Sequence, residues 1–244
     1  MMISKSRKTA ALLVAVAACG AAQAAPVVFF GENQNPGGGV SGAPVTARSA
    51  FLASLVGVGS EGFEGQTLGA TAPIGLNFAG STGSITATIT GDGGIFNAGS
   101  DGGGRYNTTS GGSKWWTASG AFGVTFSSAV SAFGFYGTDI GDFNGRVTVS
   151  LTDTLGGITN LVVNNTLSGN NASLLFWGFT DLTAAYTSIA FGNTNTGTDF
   201  FGFDDMVIGD REQIRTNVPE PTTLGLLGMG LLGLAAARLR KARA

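Results

Sequence analysis

Arg146-Val147-Thr148-Val149-Ser150-Leu151-Thr152 alternates apolar and polar residues with period two, the pattern of a strand with one face in a core and the other in water. Similar short runs lie at 84–90, 121–127, 130–136, 173–179, 186–191 and 201–208, separated by Gly, Asn, Ser and Thr. Seven or more such strands with turn residues between them predict an all-β fold, an antiparallel β-sandwich of jelly-roll-like form. One short N-terminal helix is expected over 45–55, where Ala47, Phe51 and Leu55 share a face. Phe133-Gly134-Phe135, Trp177-Gly178-Phe179 and Phe201-Gly202-Phe203 recur without a fixed period, and read as strands in which Gly leaves room for bulky neighbours. The Gly-rich stretch 91–113 reads as an extended surface loop. It is no phosphate loop, because no G-K-[ST] opens a helix after it.

Of 244 residues, 41 are Gly and only 11% are charged, while 17 Phe, 3 Trp and 3 Tyr supply apolar mass for one core or at most two domains. His is absent and the single cysteine is Cys19, which excludes Ser-His-Asp triads, Cys-His nucleophiles, the usual zinc sites, haem and iron–sulfur clusters. Carboxylate chemistry, an oxygen-ligated cation, or no catalysis remain. The net charge of −2 conceals an uneven distribution: three basic residues stand at the N-terminus and four at the C-terminus. In the domain between the two ends, six basic residues face the fourteen acidic ones from Glu32 to Glu212, a balance of −8 that disfavours a nucleic-acid partner.

Both ends read as addresses. Lys5, Arg7 and Lys8 precede an apolar run over 10–18 and the small-residue site Ala22-Gln23-Ala24, so residues 1–24 form a secretory signal peptide cut after Ala24. A competing reading takes Val16-Ala17-Ala18-Cys19 as a lipoprotein box with a lipid on Cys19. Residues 25–217 are then the β-sandwich domain. At the other end, Pro219-Glu220-Pro221 is followed by fourteen apolar residues, Leu224 to Ala237, including four Gly, and then by Arg238, Arg240, Lys241 and Arg243. At a rise of about 1.5 Å per residue this helix is a marginal transmembrane span, and the basic cluster keeps its end cytoplasmic.

These C-terminal features, over 218–244, resemble the PEP-CTERM sorting signal of Gram-negative bacteria. The resemblance implies an exosortase as processing partner, transient inner-membrane anchoring through the hydrophobic helix, and a final place outside the cell or on its surface; a permanent single-span anchor is the alternative. The domain before it resembles carbohydrate-binding-module and galactose-binding-like jelly rolls. In those folds a Glu of an early strand and an Asp of the terminal strand, with backbone carbonyls, hold a structural Ca²⁺. Carried onto this sequence, the pattern nominates Glu64 and Asp205, with solvated strand-end carboxylates as the bland alternative. Asp204 and its neighbour Asp205 are expected on opposite faces of one strand.

Trp115 and Trp116 are the candidates for stacking on a sugar, since one ring of such a pair can face solvent; both covering the core is the competing reading. Asp142-x-Asn144-Gly145 resembles part of a calcium loop, but Ile140 stands at a ligand position, so a hairpin turn into Arg146 is preferred. The leading functional expectation is a non-catalytic surface or extracellular-matrix protein that associates with polysaccharide. The alternative is a secreted glycoside hydrolase or lyase using carboxylates among Glu61, Glu64, Asp139 and Asp142.

Overall fold

The computed structural model describes residues 25–97, 103–195 and 199–216. The expected signal peptide, 1–24, and the sorting segment, with Pro219, Glu220, Pro221, Arg238, Arg240, Lys241 and Arg243, lie outside them.

The elements run β1 (Val27–Asn33), α1 (Ala43–Ala53), β2 (Ser60–Glu61), β3 (Ile74–Ala79), β4 (Ser84–Gly91), β5 (Gly94–Asn97), β6 (Lys114–Ala118), β7 (Phe122–Val130), β8 (Ala132–Thr138), β9 (Val147–Asp153), β10 (Ile158–Val162), β11 (Leu174–Thr180), β12 (Tyr186–Asn193) and β13 (Phe201–Gly209). They form two antiparallel sheets. One has the order β1-β11-β8-β13-β6-β5, with β2 also on β13; the other has the order β10-β9-β12-β7-β4-β3. This is the sandwich the alternation predicts. The first strand does not meet the last, because β1 pairs with β11; the early strand that reaches β13 is β2, with Glu61 opposite Met206.

The two sheets bury their shared core differently. In the six-stranded sheet, β3 and β9 alternate buried and accessible positions, so one face is in water. In the other sheet β8, β11 and β13 are buried at every position. Phe133, Phe135, Trp177, Phe179, Phe201 and Phe203 enter the core between the sheets. The outer face is covered by α1, whose Ala47 and Phe51 pack on Tyr136, Leu174, Phe176 and Val207. At Gly134 this second layer explains the glycine between two aromatics: a Cβ there would come within 2.9 Å of Phe176 and 3.0 Å of Phe51. The glycine makes the hollow that receives the helix.

The helix begins two residues before its expected start because Pro44, with its fixed φ and missing N–H, suits the first turn. Its seat on β1 is equally tight. A Cβ on Gly31 would lie 2.6 Å from the Ala43 carbonyl carbon and 3.0 Å from Pro44 N, both backbone atoms that cannot rotate away. Gly31→Ala therefore has to part β1 from α1, at a cost of about 1–3 kcal/mol. A melting temperature lowered by roughly 3–10 °C is expected in a thermal scan; an unchanged value would show that the contact yields.

Two expectations need correction. Residues 139–146 do not close a hairpin, since β8 and β9 belong to different sheets; the Asn144 turn, at φ 56°, carries the chain from one sheet to the other. The Gly-rich stretch is not simply a surface loop either. It contains β5, paired with β6, and Thr108 within it is buried.

After β13 the chain is fastened to the end of α1. Arg215 N donates to Ser54 O at 2.7 Å, Val56 N donates to Gln213 O at 2.9 Å, and Leu55 bridges Ile214. The Gln213 side chain adds donations to Gly57 O at 2.9 Å and Ala79 O at 3.2 Å.

Candidate functional site

The middle of β13 reads Phe203-Asp204-Asp205-Met206, which places two carboxylates in a strand buried throughout. A charged group survives there only with hydrogen bonds in place of water. The backbone provides the opening: β6 pairs with β13 no further than Phe203, and β2 takes over at Met206. In the gap between them sits the segment Asn107-Thr108-Thr109. Asp204 Oδ2 accepts from Thr108 N at 2.6 Å, Thr108 Oγ1 at 3.0 Å, Asn107 Nδ2 at 3.1 Å and Thr109 N at 3.2 Å, while Oδ1 accepts from Asp205 N at 2.7 Å. Burial nonetheless pushes the Asp204 carboxyl up to about 7, with the neighbouring Asp205 charge adding to the rise and the Thr108 N–H opposing it.

Glu64 converges on the same segment. Its Oε1 accepts from Ser113 N and Lys114 N, both at 2.7 Å, and from Asn107 Nδ2 at 3.1 Å. The Lys114 ammonium is spent on main-chain carbonyls, donating to Glu64 O at 2.8 Å and Gln66 O at 2.7 Å. One nitrogen, Asn107 Nδ2, thus faces three oxygens: Glu64 Oε1, Asp204 Oδ2 and, at 2.9 Å, Lys114 O. An amide nitrogen has two protons and cannot satisfy three acceptors. Two carboxylates and a carbonyl around one point are the donor set a hard cation takes, and a half-turn of the Asn107 amide would add a fourth oxygen. Among the described residues no three Asp or Glu side chains gather in this way, so a cation here needs the carbonyl.

The carboxylate that shares Asn107 with Glu64 is that of Asp204, not of the nominated Asp205, and the backbone shows why. The β13–β8 register shifts between Asp204 and Val207, and Asp205 stands at φ 48°, in the left-handed region that a non-glycine residue rarely enters. This bulge breaks strict alternation, so both carboxylates reach the Thr108-Thr109 segment. Asp205 Oδ1 lies 3.0 Å from Thr109 Oγ1 and Oδ2 lies 3.3 Å from Thr108 Oγ1.

Asp205 also lines a cleft of about 480 Å³ between α1 and the 108–110 segment, together with Val45, Arg48, Thr108, Thr109 and Tyr136. The Arg48 guanidinium lies over the Tyr136 ring, 5.5 Å from its centroid. Burial and the Asp205 charge raise the Tyr136 hydroxyl above its ordinary range, and Arg48 acts against them. Sequence reasoning had no signal for this cleft, because its residues come from the helix, β8, β13 and the Gly-rich stretch.

Trp115 and Trp116 are corrected as stacking residues: both are fully buried. Trp116 points into the core between the sheets, whereas Trp115 lies close beneath Gly202, where a Cβ would meet Trp115 at 3.4 Å and Arg105 at the same distance. Of the four carboxylates considered for catalysis, Glu61 accepts from Phe63 N at 2.7 Å within its own loop, and Asp139 accepts from Ala172 N at 2.9 Å, on the segment that leads into β11. Asp142, on an exposed turn, is pushed up to about 7 by partial loss of water and by its hydrogen bond to Asp199, whose charge, like that of Asp139, adds to the rise. A directly hydrogen-bonded pair of carboxyls leaves no room between them for a glycosidic oxygen, which needs about 5 Å or more.

Fold and site define a β-sandwich protein with a helix-roofed outer face, and a buried acidic bulge beside an open cleft. The segment that follows the sandwich is a PEP-CTERM protein-sorting motif, matched over residues 217–241, which marks an extracellular protein sorted by exosortase. No curated protein matches the chain. Among solved structures it is similar to the K2 cleaved adhesin domain of Lys-gingipain, with 16% identity, a TM-score of 0.39, and coverage of 62% of this chain and 97% of that one. It is also similar to the C-terminal family 22 carbohydrate binding module of Clostridium thermocellum Xyn10B, with 11% identity, a TM-score of 0.37, and coverage of 64% and 95%.

Proposed function

We propose that this chain is a non-catalytic surface or matrix protein, released or retained at the cell surface after exosortase processing, whose sandwich binds extracellular polysaccharide. The observation that carries the reading is the cleft beside Asp205. It combines a carboxylate, hydroxyls of Thr108 and Thr109, a guanidinium and an apolar flank at Val45, the mixture that reads sugar hydroxyls and covers sugar C–H faces. The strained Asp205 backbone fixes one wall, and such strain persists where surrounding structure over-determines it. Glu64, Asp204 and the Lys114 carbonyl would hold a Ca²⁺ that neutralises the buried acidic pair and so stiffens the loop forming that wall.

The test is a glycan array probed with the exported protein, with and without EDTA, followed by incubation with any glycan that binds. Retention without release of new reducing ends is expected, weakened by the chelator. Absence of binding to every glycan would overturn the reading, and release of reducing ends would favour a carboxylate hydrolase.

A further inference from the structure

We infer that the cleft selects a glycan bearing a carboxylate, a uronic-acid unit held by Arg48. The inference rests on the polysaccharide-binding reading above and narrows its ligand class. Arg48, on α1, lines the cleft; its Nε is shut away from solvent without a hydrogen-bond partner among the described residues, which leaves the two Nη groups as the donors that face a ligand. Its planar guanidinium lies over the Tyr136 ring, which restricts its orientation before any ligand arrives. A carboxylate in the cleft can accept end-on from the two Nη groups together, the two-point geometry that guanidinium favours and an ammonium cannot copy.

The rest of the cleft argues for a sugar carboxylate over a bare polyanion. Asp205 stands in the same cleft and repels a densely charged ligand such as a phosphate chain. The same carboxylate is a strong acceptor for ring hydroxyls, and the Thr108 and Thr109 hydroxyls are beside it. One cation and one anion in a single cleft therefore match a unit with one negative charge and several hydroxyls. Tyr136 is not a stacking platform, since it is only 3% exposed and lies under Arg48.

The experiment compares a hexameric oligouronate with its carboxyl-reduced, neutral counterpart by calorimetry on the exported protein. At least tenfold tighter binding of the uronate is expected, with the preference abolished by Arg48→Gln and only partly restored by Arg48→Lys. A thermal melt of each variant checks that the fold is intact. Equal affinity of the native protein for the two oligomers, or a preference that survives Arg48→Gln, would overturn the uronate assignment while leaving glycan binding in place. Binding of neither oligomer, with other glycans bound on the array, overturns it as well. Silence of the whole array overturns the broader reading too.

Discussion

In EDTA, the exported protein is expected to melt at a lower temperature at pH 7.5 than at pH 5, and millimolar Ca²⁺ is expected to close most of that gap. The cause is Asp204. Its folded-state value near 7 lies above the ordinary 3.8, so the folded protein holds this proton more tightly than the unfolded chain does. Stability is full below about pH 4 and declines as pH climbs towards 7. Across the interval from pH 5 to 7.5 one such group costs at most about 3 kcal/mol, or roughly 5–10 °C in melting temperature for a domain of this size. Asp142 pulls in the same direction, by less, because it lies on an exposed turn. Calcium needs the ionised carboxylates, so it acts more strongly at pH 7.5 than at pH 5 and contributes about 2.7 kcal/mol at a hundredfold excess over Kd. Asp204→Asn should flatten most of the pH dependence and remove the calcium response, and Glu64→Gln should remove the calcium response alone. Identical melting curves in calcium and EDTA at pH 7.5 would remove the cation from the proposal.

The largest loss of stability is expected from Phe191→Ala. Phe191 lies at the centre of the inter-sheet core, stacked on Phe122 at 4.5 Å with rings 7° apart. It also meets Phe135 and Phe203 at 5.5 Å and Phe133 at 5.9 Å. Truncation leaves a hole bounded by rings from both sheets, which cannot close without moving one sheet towards the other. The expected cost is about 3–5 kcal/mol, near 10–15 °C in melting temperature. Phe200→Ala makes the control, since that ring is 48% exposed and should cost far less. Equal losses for the two variants would contradict the two-sheet core.

The sandwich was legible because alternation survives where one face meets water. The run 146–152 became β9, Val147–Asp153, shifted by a single residue. β1 and β6 were less visible: Val27–Asn33 shows little alternation, and Lys114–Ala118 follows a Gly-rich stretch. The sites were harder, for identifiable reasons. Adjacent strand residues do face opposite ways, and Trp115 and Trp116 obey that rule, yet neither is exposed, because this sheet is covered on both faces. Nothing in a strand's own residues announces a second cover. Glu64 lies near the acidic part of β13, but it shares Asn107 with Asp204 and not with the nominated Asp205, an arrangement that goes with the left-handed turn of Asp205, which a bulge sets and alternation conceals.

The fastening of Arg215 and Ile214 to residues 54–56 has a mechanical meaning in a protein whose sorting segment begins immediately afterwards. Tension on that segment enters the sandwich through β13, an interior strand with β8 on one side and β6 and β2 on the other. An edge strand could be unzipped one bond at a time. Here the pull is shared between the clasp at the end of α1 and the ladders flanking β13, so several hydrogen bonds must fail together. Any pull on the C-terminal end of the sandwich is thus met where the fold is hardest to peel.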